Sequence, residues 1–304
     1  MTDQGLKALV GALAVLLGIW GVATVMGGPG EGSIGASGEI ASFFDDLDGP
    51  SLVGASITGP AGGLQLAREE GGWTANGFRT DEATIAQFLV AVTTADIGDL
   101  SATNPDNHER MGVTDERATR VTFRTEEGSK ELLLGDTGRR FQTAYVRLPG
   151  EDAVYLLDGD LGSQLRRGAD DFRDRVLARV DTASVARLVV ERGDGAYTLV
   201  RADSSWSFLE GGSTSGTTVT NILSELSNLE ATGFYAESDS VAQLARGTTT
   251  RAFDAAGAMV GEVVVGEGET DRWARTAGDT SIYRLSAFRA GRLAPSRAEV
   301  AGGG

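Results

Sequence analysis

An α+β architecture is predicted: an N-terminal transmembrane helix, then two tandem repeats, each an antiparallel sheet with one covering helix in the order ββαββββ. Three observations predict it. No charged residue falls between Ala8 and Met26. An amphipathic helix pattern occurs twice, with Ile85, Phe88, Leu89 and Val92 answered by Val219, Ile222, Leu223 and Leu226, each 134 positions later. Alternating strand pairs flank both patterns at matching places.

The apolar run comes first. Residues 8–26 number 19, close to the ~20 that cross a hydrocarbon core of ~30 Å. A soluble helix of that length shows a polar face, and this run has none. Lys7 precedes it, and Glu31, Glu39, Asp45, Asp46 and Asp48 follow before the next basic residue, Arg68. The positive-inside rule then puts residues 1–7 in the cytoplasm, a single span at 8–27 in the cytoplasmic membrane and the rest of the chain outside. A cleaved signal peptide is the competing reading, although its apolar region is usually only ~7–15 residues, and Val25-Met26-Gly27 makes a poor cleavage site. Residues 28–50, rich in Gly, Ser and Pro, read as a flexible tether. Gly30, Gly32 and Gly35 match G-x-G-x-x-G formally, but neither the strand nor the helix of a dinucleotide site flanks them.

The first repeat spans 51–167 and the second 185–296. In the first, Leu64 to Arg68 alternates, turns at "EEGG" and resumes at Trp73. In the second, residues 196–201 turn at "ADSS" and resume at Trp206. Both read as hairpins, and both tryptophans are expected in the sheet–helix cores. Asp81 or Thr80 is placed to cap the first helix, Ser215 or Thr217 the second. A hairpin then turns at 126–129 in the first copy and at 255–257 in the second, and Gly135 and Gly266 open the last strand pairs. Residues 168–184, holding "DDFRDRVL", read as a connector that docks the halves, and the tail 297–304 as disordered.

Composition narrows the chemistry. The 304 residues are 41% hydrophobic, with 27 Lys+Arg against 43 Asp+Glu and a formal net charge of -16. So acidic a chain does not attract phosphate backbones, which argues against nucleic-acid binding. The absence of cysteine rules out disulfides, thiolate metal sites and Cys nucleophiles. His108, the single histidine, lies in the loop-like "NPDNHERMG" and reads as a surface residue. No G-x-S-x-G and no G-x-x-x-x-G-K-[ST] is present. Asp45, Asp46 and Asp48, and Asp158 with Asp160, do not fit a calcium loop and read as solvated acidic turns. No catalytic, cofactor or metal residue is assigned.

The Trp-terminated hairpins, the two helices, "MGV" at 111–113 and "DDFRDRVL" between the copies together resemble the domain-of-unknown-function 4340 family of bacterial membrane-anchored proteins, over about residues 50–290. Position 111, more often aromatic in the family, is Met here. Members are commonly encoded beside gliding-type ABC-transporter components. The resemblance therefore implies an accessory role beside ABC permease and ATPase subunits, with the lipid bilayer contacted by residues 8–26, and it carries no catalytic residue. The first expectation is thus a non-catalytic binding or scaffolding module that presents sheet edges or the groove between copies. The second is a small-ligand sensor or envelope enzyme with a pocket between the repeats, lined by Arg139, Arg140, Arg173 and Arg175.

Overall fold

The computed structural model describes residues 36, 38–60, 62–203, 205–236, 247–267 and 271–302. The first half contains β1 (Leu52–Gly59), β2 (Gly62–Glu69), β3 (Gly72–Ala75), β4 (Phe78–Arg79), α1 (Glu82–Thr93), β5 (Asp96–Ala102), α2 (His108–Met111), β6 (Thr119–Thr125), β7 (Ser129–Thr137), β8 (Thr143–Arg147), β9 (Val154–Asp158) and α3 (Leu161–Gln164). The connector supplies α4 (Ala169–Phe172) and β10 (Val176–Ala178). The second half contains β11 (Val185–Arg192), β12 (Gly195–Ala202), β13 (Ser205–Phe208), α5 (Gly216–Ser227), β14 (Leu229–Glu230), β15 (Gly233–Phe234), β16 (Thr248–Asp254), β17 (Met259–Glu267), β18 (Arg272–Thr276), β19 (Tyr283–Leu285), α6 (Ala287–Leu293) and α7 (Arg297–Val300).

Two large antiparallel sheets result. The first has nine strands in the order β4-β3-β2-β1-β6-β7-β8-β9-β5, the second eight in the order β13-β12-β11-β16-β17-β18-β19-β15. In each, the first strand of the half pairs with the strand that begins the hairpin after the helix: Ile57 faces Val121, and Val189 faces Arg251. After the helix the chain crosses to the far edge, where β5 pairs with β9 in the first half and β15 with β19 in the second; β14, between α5 and β15, pairs instead with β10 of the connector.

These facts correct the expected fold class. The described residues are predominantly antiparallel sheet rather than α+β, and none of their helices is long and apolar enough to cross a membrane. The expected N-terminal transmembrane helix falls outside the described residues. The order ββαββββ is also too short: four strands precede α1 and three precede α5, with five and six after them. The strand β1, "LVGASITG", was missed because Gly54, Ala55 and Ser56 give it no large-residue alternation, even though Leu52, Ala55 and Ile57 are buried.

Helix formation follows the sequence pattern. The Asp81 carboxylate accepts from the Thr84 N–H at 2.8 Å and caps α1, and the Ser215 hydroxyl accepts from the Thr218 N–H at 3.3 Å to cap α5. The helix α1 buries Ile85, Phe88, Ala91 and Val92 on the first core, and α5 buries Val219, Ile222 and Leu226 on the second. Trp73 and Trp206 are half-buried and pack against the margins of these cores.

Two segments expected to be loose are packed. From Gly38 onward the presumed tether forms a 3-10 turn (Gly38–Ser42) and buries Ile40, Phe43 and Leu47 in the first core. Phe43 meets Phe123 edge-on at 6.3 Å, and Lys130 donates to the Phe43 carbonyl at 2.9 Å. Composition alone marked this stretch as linker, yet its apolar residues at spacings of three and four fit a helical turn. In the tail, α7 is closed by a capping box between Ser296 and Glu299 and buries Val300 completely.

Candidate functional site

The connector joins the halves through three consecutive duties. Phe172 is fully buried in the first core, edge-on to Phe88 at 5.9 Å. Leu177 is buried in the second core. Between them lies Arg173, 8% exposed. Its guanidinium is stacked between Phe78 of β4, 3.8 Å from the ring centroid, and Phe234 of β15, at 3.6 Å. One terminal nitrogen donates to the Asp170 carboxylate at 3.0 Å, the other to the Ser281 hydroxyl at 3.1 Å. A buried cation between two aromatic faces gains from both ring quadrupoles, and a flat guanidinium can do this where an ammonium cannot. Backbone bonds extend the seam: the Asp81 N–H donates to the Phe172 carbonyl at 2.9 Å, and the Asp174 N–H to the Arg79 carbonyl at 2.9 Å.

Beside this clamp opens a cleft of about 480 Å³ between the halves, bounded by Phe78 and Arg79, by 174 and 176–179 of the connector, and by 276–280 of the second sheet. Arg179 lines it exposed and without an ion pair among the described residues, while the other charges are paired. Arg79 meets the Asp174 carboxylate at 3.0 Å and donates to the Val176 carbonyl at 3.2 Å. The Asp279 carboxylate accepts from the Tyr283 hydroxyl and from the Ser281 N–H, each at 2.7 Å, with Arg79 4.0 Å away. Burial would raise the Asp279 pKa, but these hydrogen bonds and the Arg79 charge outweigh it and hold the carboxyl below its usual range. Burial, reinforced by the Asp279 hydrogen bond, pushes the Tyr283 phenol well up.

Of the four arginines expected to line such a pocket, the structure brings only Arg173 and its neighbour Arg175 to the junction, and Arg173 is spent in the clamp. Arg139 and Arg140 lie at the opposite end of the first sheet, where Arg140 bridges Asp158 at 3.0 Å and Asp99 at 3.4 Å. Phe78, Phe234, Arg79 and Asp279 were missed; they are scattered across some 200 positions and carry no joint sequence signal. His108 is corrected from surface loop to buried helix residue: its Nε2 lies 2.8 Å from the Asp152 carbonyl, so that nitrogen carries the proton. The neighbouring "MGV" is structural too. Met111 and Val113 are buried, Gly112 ends α2 at φ 70°, and buried Arg147 donates to the Val113 carbonyl at 3.0 Å.

Asp46 pairs with Lys130, Asp48 accepts from the Ser51 N–H, Asp158 pairs with Arg140 and Asp160 accepts from Gln164, so these four carboxylates are each engaged within the chain. Among the described residues no group of three His, Asp or Glu is placed to hold a metal ion.

A family model described as "Domain of unknown function (DUF4340)" matches residues 60–246. Neither the curated proteins nor the solved structures give a match.

Proposed function

This chain belongs to the DUF4340 family, and from that premise we propose that it is a membrane-anchored binding accessory of an ABC-type transport or envelope complex, non-catalytic, held at the cytoplasmic membrane by residues 8–26. The observation that carries the reading is the Arg173 clamp. It fixes two large sheets against each other, and Arg79, Asp174 and Asp279 beside it are engaged with one another and with neighbouring groups rather than converging on a point where a substrate atom would react. Such a geometry suits a rigid platform that presents surface to other proteins.

The test is purification of the full-length chain from native membranes in mild detergent, with mass spectrometry of what accompanies it. Permease and ATPase subunits recovered in fixed ratio support the reading. Recovery of the chain alone, with and without crosslinking, removes it. A second reading is favoured by the polar cleft itself: a small-ligand sensor closing on residues 176–179 and 276–280. A solute library scored by thermal shift separates the two, since a sensor gains stability with ligand as RT ln(1 + [L]/Kd).

A further inference from the structure

The two halves finish their far edges differently. In the second half the stretch after α5 is covered by the connector. The strand β10 pairs antiparallel with β14, Ala178 opposite Leu229 and Val176 opposite Glu230, and the Ala231 N–H donates to the Arg175 carbonyl at 2.8 Å. The Arg173 guanidinium then lies 3.6 Å from the centroid of the Phe234 ring. An extended, arginine-bearing segment, 173–178, thus runs as an added strand along residues 229–234. The 134-position offset that relates the two helices carries 229–234 onto 95–100. The pairings agree with it, since Phe234 faces Tyr283 in β19 and Leu100 faces Tyr155 in β9.

No strand among the described residues takes that place in the first half. The strand β5 is the last of its sheet and pairs on one side only, with β9. Asp96 is exposed and residues 98–102 are half-buried. Such an edge leaves backbone N–H and C=O groups for another chain. Gly233 and Phe234 are answered here by Asp99 and Leu100, so the ring that holds Arg173 is gone and a carboxylate stands beside its place. Asp96 lies opposite Asp158 across β5 and β9. Arg140 spans Asp158 and Asp99, at 3.0 and 3.4 Å. With Asp160 and Arg139 included, four carboxylates stand against two guanidiniums at this end, and Asp96 has no cationic partner among the described residues. The surplus charge suits an arginine. Two nearer occupants fit badly. Residues 27–35, which lead into Ala36, are Gly-rich, contain Pro29 and carry Glu31 as their one charge: poor strand formers, and of the wrong sign. A second copy, pairing β5 with β5 about a two-fold axis at the middle of the strand, would set Asp99 against Asp99, and like charges directly opposite destabilise a ladder.

We propose that the β5 edge, from Thr94 to Leu100, accepts an extended arginine-bearing segment of a partner protein as an added antiparallel strand, the counterpart of what the connector does for the second half. This rests on the binding-accessory reading and names the surface that does the binding. Thr94 is exposed and answers Asn228, which lies between Leu229 and the Leu226 carbonyl that accepts from the Val180 N–H at 2.9 Å, so the added strand would pass it. The experiment places p-benzoylphenylalanine at position 94, and separately at exposed Ser205 on the β13 edge of the second sheet, in the full-length chain in its native membrane, and illuminates intact cells. The expected result is one discrete protein adduct from position 94, absent from 205, whose crosslinked peptide contains arginine. Its yield should fall about tenfold with Asp96→Lys, the effect of reversing one well-placed charge, while the melting temperature stays where it is because Asp96 is exposed. No adduct, an adduct to lipid or to a second copy of this chain, an adduct to a segment without arginine, or a yield indifferent to Asp96→Lys overturns the β5 site. If the wild-type chain still co-purifies with a complex in those cases, only the site falls; if it co-purifies with nothing, the accessory reading falls with it.

Discussion

Gly135 and Gly266 occupy matching places in the two halves, and each is glycine because a side chain would strike something different. A Cβ at 135 would lie 2.3 Å from the Met111 carbonyl oxygen, and one at 266 would lie 2.2 Å from the Trp273 ring. The position leaves room for "MGV" in one copy and for an indole in the other. Gly266→Ala should therefore cost about 1–3 kcal/mol from overpacking, read as a lower urea midpoint together with a shifted tryptophan emission. His108→Ala should cost about 1–3 kcal/mol by leaving the Asp152 carbonyl without its donor, measured by the same titration. The sequence presents Gly135 and Gly266 as the openings of new strand pairs, but they lie inside β7 and β17, and their purpose was hidden because close approach depends on which strand lies opposite. His108 was misjudged for a similar reason: a polar stretch such as "NPDNHERMG" hides a buried polar residue unless its partner, 44 positions away, is known.

At the scale of elements, what was local could be read and what was long-range could not. The helices α1 and α5 were legible because a 3.6-residue stripe and a cap are written within one segment. The hairpins were legible through their turns. The far-edge placement of β5 and β15 was not, since nothing within either strand says which neighbour it takes. The docked segment 38–47 and the terminal α7 give two further expectations. Removing residues 1–50 should lower the melting temperature sharply relative to removing residues 1–35, because only the longer deletion strips Ile40, Phe43 and Leu47 from the core; equal melting would mean that the segment contributes nothing. Ser296→Ala, which takes away the α7 cap, should cost about 0.5–2 kcal/mol, seen by calorimetry.

For the whole molecule the Arg173 clamp decides whether two sheets behave as one body. Arg173→Ala should let the halves separate, raising the radius of gyration in small-angle scattering and opening the connector to limited proteolysis, while each sheet keeps its own circular dichroism. Arg173→Lys should loosen the joint as well, since an ammonium does not stack flat between two rings. Acid should act on the same seam. Asp279 has its pKa depressed in the folded state, so its contribution is present above the unfolded value of ~3.9 and is lost as pH falls below that through the folded value. Scattering recorded from pH 7 to pH 2 should show the joint relaxing only below about pH 4, and Asp279→Asn should flatten that dependence. Of this junction the sequence exposed Arg173, by the charges and apolar residues around it, but not Phe78 or Phe234, which come from opposite halves and meet only after both have folded.

The divided use of the Gly135 and Gly266 positions carries a consequence for ancestry. If one unit was copied to make two, the copies have since become locked into separate roles. A chimera built from two first halves would bring a second "MGV" segment and no Trp273, and one built from two second halves would lose His108, Arg147 and the seat they brace. Phe78 is likewise answered by Phe234 and not by another Phe78, so a homogeneous pair would offer the connecting arginine only one of its two rings. The halves are similar enough to share a chain path and too different to stand in for each other, and recombination between them should yield dead ends rather than new variants.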